Sequence, residues 1–175
     1  MYWRDLSWHV TDNYVFTPSW RYDKNQYVID IKTGKILYRE KHVSDKGLLF
    51  TEDPDNPAIV YEARNGNSIE VSAIDTKTGE KTWKTHVSRG RQWQAFRLFV
   101  SDGYLILLRK PHRYTYAGNA LYVLDRTDGS LLQSLNIPGQ SMEHAAAVGG
   151  TIVYRCPEAV FMFRSGDIEN SLKQF

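Results

Sequence analysis

The sequence of 175 residues predicts an all-β fold made of repeated four-stranded antiparallel units. Three observations support this prediction. A strand, an Asp-containing turn and a second strand occur together three times, at steps of 45 and 50 residues. A further hairpin precedes each of these, and helical periodicity is weak along the chain.

The repeated turn has an Asp, two further residues, a Thr or Asp, and then a Gly. An Asp carboxylate can accept hydrogen bonds from the backbone N–H groups that follow it, and glycine readily adopts the positive φ that reverses the chain. We therefore expect tight hairpins and structural roles, because a catalytic residue would not be needed three times. The turn residues are Asp30 and Gly34, Asp75 and Gly79, and Asp125 and Gly129.

The upstream hairpins complete each unit. Their turn markers are Asn13, Asn56, Gly103 and Gly150, separated by 43, 47 and 47 residues. Two hairpins in about 45 residues match the period and strand count of a β-propeller blade. The sequence thus predicts a β-propeller of about four units, expected to be part of a larger propeller.

The domain prediction follows from these repeats. We expect one partial propeller domain over residues 1–175, because the repeats run through most of the chain. Two other accounts of the blade number stay open: two chains could pair into an eight-bladed ring, or four units could close alone. The predicted blades are 8–46, 47–92, 93–140 and a degenerate 141–167, followed by a tail at 168–175.

Composition excludes several classes of protein. The 22 Lys and Arg residues nearly balance the 20 Asp and Glu, so a net charge of +2 gives no general drive towards nucleic acid or anionic membranes. Cys156 is the only cysteine, which excludes a disulfide scaffold. No apolar run approaches the roughly 20 residues of a membrane span. The start of the chain as given has no secretory-signal pattern, which favours an intracellular location.

The turn followed by an aromatic residue resembles the repeat of the quinoprotein alcohol dehydrogenase-like (PQQ-type repeat) β-propeller superfamily. The third unit has Gln133 in the aromatic position, and the degenerate fourth copy at 160–167 lacks the Asp. The resemblance implies that Tyr38 and Trp83 pack between neighbouring sheets. The matching residues are Asp30, Thr33, Gly34, Lys35 and Tyr38 in the first unit and Asp75, Thr78, Gly79 and Trp83 in the second.

The resemblance implies no catalytic residue for this chain, because no position matches a catalytic motif of the family. The vicinal disulfide usual in the quinone-dependent dehydrogenases is impossible with one cysteine. No cofactor or metal is therefore expected. Cys156 is interpreted as a small core residue, with a thiol activated by Arg155 as the alternative.

Histidines suggest one alternative site. His42 and His86 each begin a His-Val-Ser triplet at matching places after the repeat turn. We expect them at equivalent strand ends on adjacent blades. A shared ligand or metal site is the alternative.

A basic segment forms the candidate partner-binding patch. Arginine together with aromatic residues is typical of binding hot spots and of single-strand nucleic-acid grooves. The small net charge favours a protein partner over nucleic acid, and a solvated loop is the plainer alternative. The patch comprises Arg109, Lys110, His112, Arg113, Tyr114 and Tyr116.

These observations predict a non-catalytic propeller scaffold that binds a protein or ligand through blade loops. No nucleophile or phosphate-binding motif is present, so enzyme activity is not expected. Two alternatives stay open. One is a fragment of a PQQ- and calcium-dependent oxidoreductase. The other is the substrate-recruiting part of an F-box-type adaptor, since residues 3–6 are similar to a stretch that follows an F-box. Self-association through open propeller edges is a further expectation.

Overall fold

The computed structural model describes ten stretches of the chain, and within them the chain forms fifteen β-strands. The described residues are 9–17, 25–41, 48–65, 68–89, 93–101, 103–111, 118–138, 142–148, 151–157 and 159–164. The predicted tail at 168–175 lies outside them.

The strands form four separate antiparallel sheets in chain order. Sheet I contains β1 (His9–Val10), β2 (Tyr14–Phe16), β3 (Asn25–Asp30) and β4 (Ile36–Lys41). Sheet II contains β5 (Leu48–Glu52), β6 (Ile59–Asn65), β7 (Ser68–Asp75) and β8 (Lys81–Arg89). Sheet III contains β9 (Trp93–Ser101), β10 (Tyr104–Pro111), β11 (Asn119–Asp125) and β12 (Leu131–Ile137). Sheet IV contains β13 (His144–Val148), β14 (Thr151–Arg155) and β15 (Val160–Arg164).

Each strand pairs with the strand next to it in sequence, so every sheet is a meander of hairpins. Sheets I to III have four strands, and sheet IV has three within the described residues. This arrangement confirms the predicted all-β fold of four-stranded antiparallel units.

Three apolar clusters lie between successive sheets. Tyr14, Phe16 and Val28 of sheet I pack with Phe50 and Val60 of sheet II. The next two clusters join sheet II to sheet III and sheet III to sheet IV. The middle sheets are therefore apolar on both faces.

The run 105–108 illustrates this two-sided burial. Its four side chains are buried, and they alternate between the two clusters. Leu105 and Leu107 contact the cluster shared with sheet II, whereas Ile106 and Leu108 contact the one shared with sheet IV. Strand periodicity thus explains an unbroken apolar run without a helix.

A β-bulge recurs between the third and fourth strands of sheets I to III. In sheet II, Ala73 pairs with Trp83, but the next residue, Ile74, pairs with Lys81. Residues that lie opposite each other share a face of the sheet, so the bulge sends Lys81 and Trp83 to opposite faces. The same shift occurs after Val28 in sheet I and after Val123 in sheet III.

The bulge turns the repeat aromatic towards the next sheet. The Trp83 ring lies against Gly129, and its Nε1 donates to the Arg126 carbonyl oxygen at 3.2 Å. Tyr38 lies against Gly79 in the same way, with Cδ2 3.7 Å from the position of a Cβ there. The expected packing of both aromatics between neighbouring sheets is confirmed.

We expect Gly129→Ala to destabilise the protein more than Gly34→Ala. Both glycines have a positive φ, 74° and 67°, so alanine should cost roughly 1–2 kcal/mol at either position. A methyl group on Gly129 would also overlap the Trp83 ring, whereas no described atom lies within 4 Å of one on Gly34. Overpacking should add about 1–3 kcal/mol at Gly129, measurable as free energy of unfolding in urea. Equal losses for the two variants would contradict this account.

Candidate functional site

The hairpin topology gathers the repeat turns at one end of the sheets. In an antiparallel meander, the loops after the first and third strands lie at the same end. We call this end the turn face and define it by loops 11–13, 31–35, 53–58, 76–80 and 126–130. Strands β2, β6 and β10 run away from the turn face and end at the opposite end of their sheets.

Each repeat turn is held by its Asp. In sheet II, the Asp75 carboxylate accepts hydrogen bonds from the backbone N–H groups of Lys77 at 2.7 Å and Thr78 at 3.1 Å. The Gly79 N–H donates to the Asp75 carbonyl oxygen at 2.7 Å. One acidic residue therefore closes the turn with its side chain and its backbone.

The turns in sheets I and III have the same design. The Asp30 carboxylate accepts from the Thr33 N–H, and the Asp125 carboxylate accepts from the Thr127 N–H, both at 2.7 Å. The backbone hydrogen bond from Thr33 is the main cause that lowers the pKa of Asp30 below its ordinary value. The turn carboxylates thus bond to their own loops.

A polar contact ties sheet II to the turn of sheet III. The buried Asp53 carboxylate accepts a hydrogen bond from the Tyr61 hydroxyl at 2.6 Å and pairs with the Arg126 guanidinium at 3.1 Å. Arg126 also reaches the exposed Asp55 at 2.7 Å. We call Asp53, Tyr61 and Arg126 the cross-tie.

Electrostatics favour the protonated forms of two members of the cross-tie, Tyr61 and Arg126. Burial, and then the hydrogen bond to Asp53, raise the pKa of Tyr61 well above its ordinary value. The phenol therefore stays a hydrogen-bond donor at neutral pH. The hydrogen bond with Asp55 is the main cause that raises the pKa of Arg126, so the guanidinium stays charged.

A related contact joins sheet I to sheet II. The Tyr14 hydroxyl lies 3.3 Å from the Thr76 hydroxyl and also donates to the Pro57 carbonyl oxygen. Thr76 and Arg126 both follow the Asp of their turn directly. The Tyr61 hydroxyl lies 3.3 Å from the Arg126 carbonyl oxygen, so each of these two turns contacts a tyrosine from the preceding sheet.

A second polar cluster lies on the face of sheet II that packs on sheet I. Glu62 is fully buried and pairs with Arg64 and Lys81, each at 3.2 Å. Glu70 pairs with Lys81 at 3.4 Å and Lys84 at 3.1 Å. Paired charges can be buried at a much lower cost than isolated charges, so this cluster extends the packed interface beyond its apolar part.

The pKa of Glu70 reflects this pairing. Burial alone would raise that pKa, but the hydrogen bond from Lys84 and the charges of Lys81 and Lys84 lower it below the ordinary value. His86 lies nearby, with Nε2 3.9 Å from Glu70 and Nδ1 3.1 Å from the Ser68 hydroxyl.

The structure places Arg109 inside sheet III. Its guanidinium is buried, donates to the Tyr122 hydroxyl at 2.9 Å and lies over the Tyr122 ring. Burial lowers the pKa of Arg109, and Tyr122 opposes that effect. The Arg109 side chain therefore bonds to a residue of its own sheet. The half-buried Lys110 precedes the end of the strand. His112, Arg113, Tyr114 and Tyr116 lie outside the described residues.

Cys156 and His86, two of the remaining candidate residues, lie in different parts of the described structure. Cys156 is buried in the cluster between sheets III and IV, with its Sγ 3.7 Å from Asn119 Nδ2. His86 is exposed, and His42 lies outside the described residues. In the part of the chain that the structure describes, no three His, Cys, Asp or Glu residues are grouped to hold a metal ion. No helix there is long and apolar enough for a membrane span.

These four consecutive sheets, packed face to face, define the chain as a β-propeller. No family model matches the sequence, and the comparison with curated proteins gives no significant match. Solved structures share the fold at low sequence identity. BamB from Moraxella catarrhalis has a TM-score of 0.63 and 19% identity over 90% of this chain and 42% of its own.

Two further structures show the same likeness. The computationally designed Ika4 protein has a TM-score of 0.63 and 15% identity, covering 91% of this chain and 89% of its own. The WD40 domain of Neurospora crassa Pan2 has a TM-score of 0.60 and 15% identity, covering 93% of this chain and 49% of its own. The chain thus spans less than half of BamB and of the Pan2 domain, but most of Ika4.

We expect Tyr61→Phe and Asp53→Asn to be energetically coupled. Each substitution weakens the hydrogen bond between a buried phenol and a buried carboxylate, so each should cost about 1–2 kcal/mol of unfolding free energy. The double variant should lose about 1 kcal/mol less than the sum of the single losses. A double-mutant cycle in urea measures this difference, and additive losses would show that the two groups do not interact.

We expect the stabilising effect of Glu70 to depend on pH. The pKa of Glu70 is lower in the folded chain, so its contribution is present above its unfolded pKa and is lost as the pH falls through the folded pKa. Glu70→Gln should cost about 0.5–1 kcal/mol near pH 7 and much less near pH 3. Glu80→Gln, at an exposed turn position, is the matched control and should show little change. A cost for Glu70→Gln that is independent of pH would contradict the role of its charge.

Proposed function

We propose that this chain is a non-catalytic β-propeller scaffold that binds a protein partner through the loops of its turn face. The observation that carries this proposal is the cross-tie, because it fixes two loops from different sheets relative to each other. Loops fixed before binding lose less conformational entropy when a partner docks. The likeness to BamB and to a WD40 domain supports the propeller fold on which the scaffold role depends.

The exposed charges of the turn face suggest the chemistry of the partner. The turn of sheet I carries the exposed Lys32 and Lys35, whereas that of sheet III carries the exposed Asp128. Arg126 is already paired with Asp53 and Asp55. A partner with an acidic segment opposite sheet I would complement this surface.

The basic segment at the opposite end is a second proposed contact. Lys110, His112, Arg113, Tyr114 and Tyr116 remain its candidate residues. Arg109 is omitted from the binding surface because its guanidinium bonds within sheet III. A propeller can present loops at both ends, so the two contacts are compatible.

We expect Lys32→Glu combined with Lys35→Glu to abolish capture of a partner from extracts of the source cells. The charge reversal would repel an acidic segment, whereas the conservative pair Lys32→Arg and Lys35→Arg should retain capture. Quantitative mass spectrometry of the captured proteins measures both results. Lys110→Ser with Arg113→Ser tests the opposite end in the same way. Capture that is unchanged by all these variants would refute binding through either surface.

Membership of the quinoprotein alcohol dehydrogenase-like superfamily is part of this proposal, supported by the repeated Asp-x-x-Thr-Gly turns and the aromatics that follow two of them. The oxidoreductase alternative can be tested with PQQ and Ca²⁺. A thermal shift together with dye-linked alcohol oxidation would favour it over the scaffold. The F-box-type adaptor alternative predicts that the captured proteins include ubiquitin-ligase subunits.

A further inference from the structure

The three junctions inside the chain follow one rule. Each sheet has a leading face, which packs on the next sheet, and a trailing face, which packs on the sheet before it. At the junction of sheets II and III, Tyr61, Ala73 and Trp83 belong to the leading face of sheet II, and Leu105 and Leu124 belong to the trailing face of sheet III. The strand registers identify the equivalent positions in the other sheets.

The leading face of sheet IV is uncovered in the described structure. Met162 pairs with Val153 and is 61% exposed. Its repeat equivalents pair with equivalent partners, yet none is more than 1% exposed. Val160, on the same face, is 65% exposed, although its equivalent in sheet III, Leu121, is fully buried. The buried equivalents of Met162 are Val28, Ala73 and Val123.

The trailing face of sheet I is also uncovered. Ile36 and Val10 are 59% and 60% exposed, and Ile36 pairs with Ile29 on this face. Gly79 and Gly129 each lie against an aromatic ring of the preceding sheet, but no described atom lies within 4 Å of a Cβ on Gly34. The turn of sheet I therefore resembles the turns at the internal junctions, but no described sheet covers it.

We propose that a second copy of this chain covers both faces. The leading face of sheet IV in one copy packs on the trailing face of sheet I in the other, and the reverse junction forms at the same time. These are the two kinds of face that already pack together three times within each chain, so the new junctions continue an established series of interfaces. Two copies supply eight sheets, which is within the usual range of closed propellers.

The first measurement is the mass in solution by light scattering coupled to gel filtration. At about 100 μM, the wild-type protein should have twice the monomer mass of 20.2 kDa. Ile36→Asp and Met162→Lys should each raise the dimer dissociation constant at least about tenfold. Met162→Lys buries a charge at a position that is at most 1% exposed in the other sheets, and Ile36→Asp replaces apolar area of the junction with a carboxylate. Leu131→Asp is the matched control. Leu131 is the repeat equivalent of Ile36 inside the array, and its substitution should leave the dimer mass unchanged.

Mixing the two variants separates this arrangement from other dimers. In a mixed dimer, one junction is wild type, and the other junction carries both substitutions, whose charges are opposite in sign. An equimolar mixture should therefore regain the dimer mass. A dimer that pairs sheet I with sheet I would be lost with Ile36→Asp alone and would not be regained. Such a result would overturn the proposal.

Two other results would also overturn it: a monomeric wild-type protein, or a dimer that survives both substitutions. Circular dichroism establishes that each variant is folded. If either charged variant unfolds, Ile36→Ser and Met162→Thr replace the charged pair and are expected to weaken the dimer in the same direction. The loop variants that test partner capture leave both sheet faces unchanged, so this proposal can fail independently of the scaffold function.

Discussion

The contact between a repeat aromatic and the next turn glycine depends on one backbone irregularity. In a regular strand, Lys81 and Trp83 would point to the same face of sheet II. The bulge separates them, so that Lys81 reaches Glu62 on one side and Trp83 reaches Gly129 on the other. Only a residue without a side chain leaves room for the indole at that turn. The turn, the bulge and the aromatic therefore act together to position sheet I against sheet II and sheet II against sheet III.

Polar groups then determine which sheets fit together. The apolar clusters between sheets would tolerate many combinations of similar volume, because the hydrophobic effect has no direction. The cross-tie, in contrast, depends on specific partners in a specific geometry. The Asp53 carboxylate lies between a phenol of its own sheet and a guanidinium of the next sheet. A sheet in the wrong place would leave that buried carboxylate without its cation. Removing one partner of a buried ionic contact is strongly destabilising, although the intact pair adds little stability beyond what apolar packing provides.

The local part of this structure could be predicted from the sequence, and the resemblance to known repeats implied the packing of Tyr38 and Trp83 between sheets. The polar contacts between repeats could not be predicted. Asp30, Asp75 and Asp125 act within a few residues of themselves, so spacing was sufficient to predict their turns. Asp53 and Arg126 are 73 residues apart, and their contact depends on which faces of two sheets meet. The sequence signal for this contact was an acidic loop in one repeat together with an arginine in the turn of the next repeat. Within the basic segment, the structure buries the Arg109 guanidinium, and His112, Arg113, Tyr114 and Tyr116 lie outside the described residues. Strand β10 extends to residue 111, and alternation along it turns that guanidinium inwards.

One backbone position shows how the repeats diverged. The residue directly after the turn Asp is Ile31 in sheet I, Thr76 in sheet II and Arg126 in sheet III. The Thr76 hydroxyl lies next to the Tyr14 hydroxyl, and the Arg126 guanidinium pairs with the Asp53 carboxylate, so both side chains have polar partners from the preceding sheet. Ile31 is exposed and belongs to the only one of these turns that no described sheet precedes. An apolar side chain at that position needs no hydrogen-bond partner, so it is compatible with a junction that forms by complementary apolar packing. The polar residues suit junctions whose partner is fixed within the same chain.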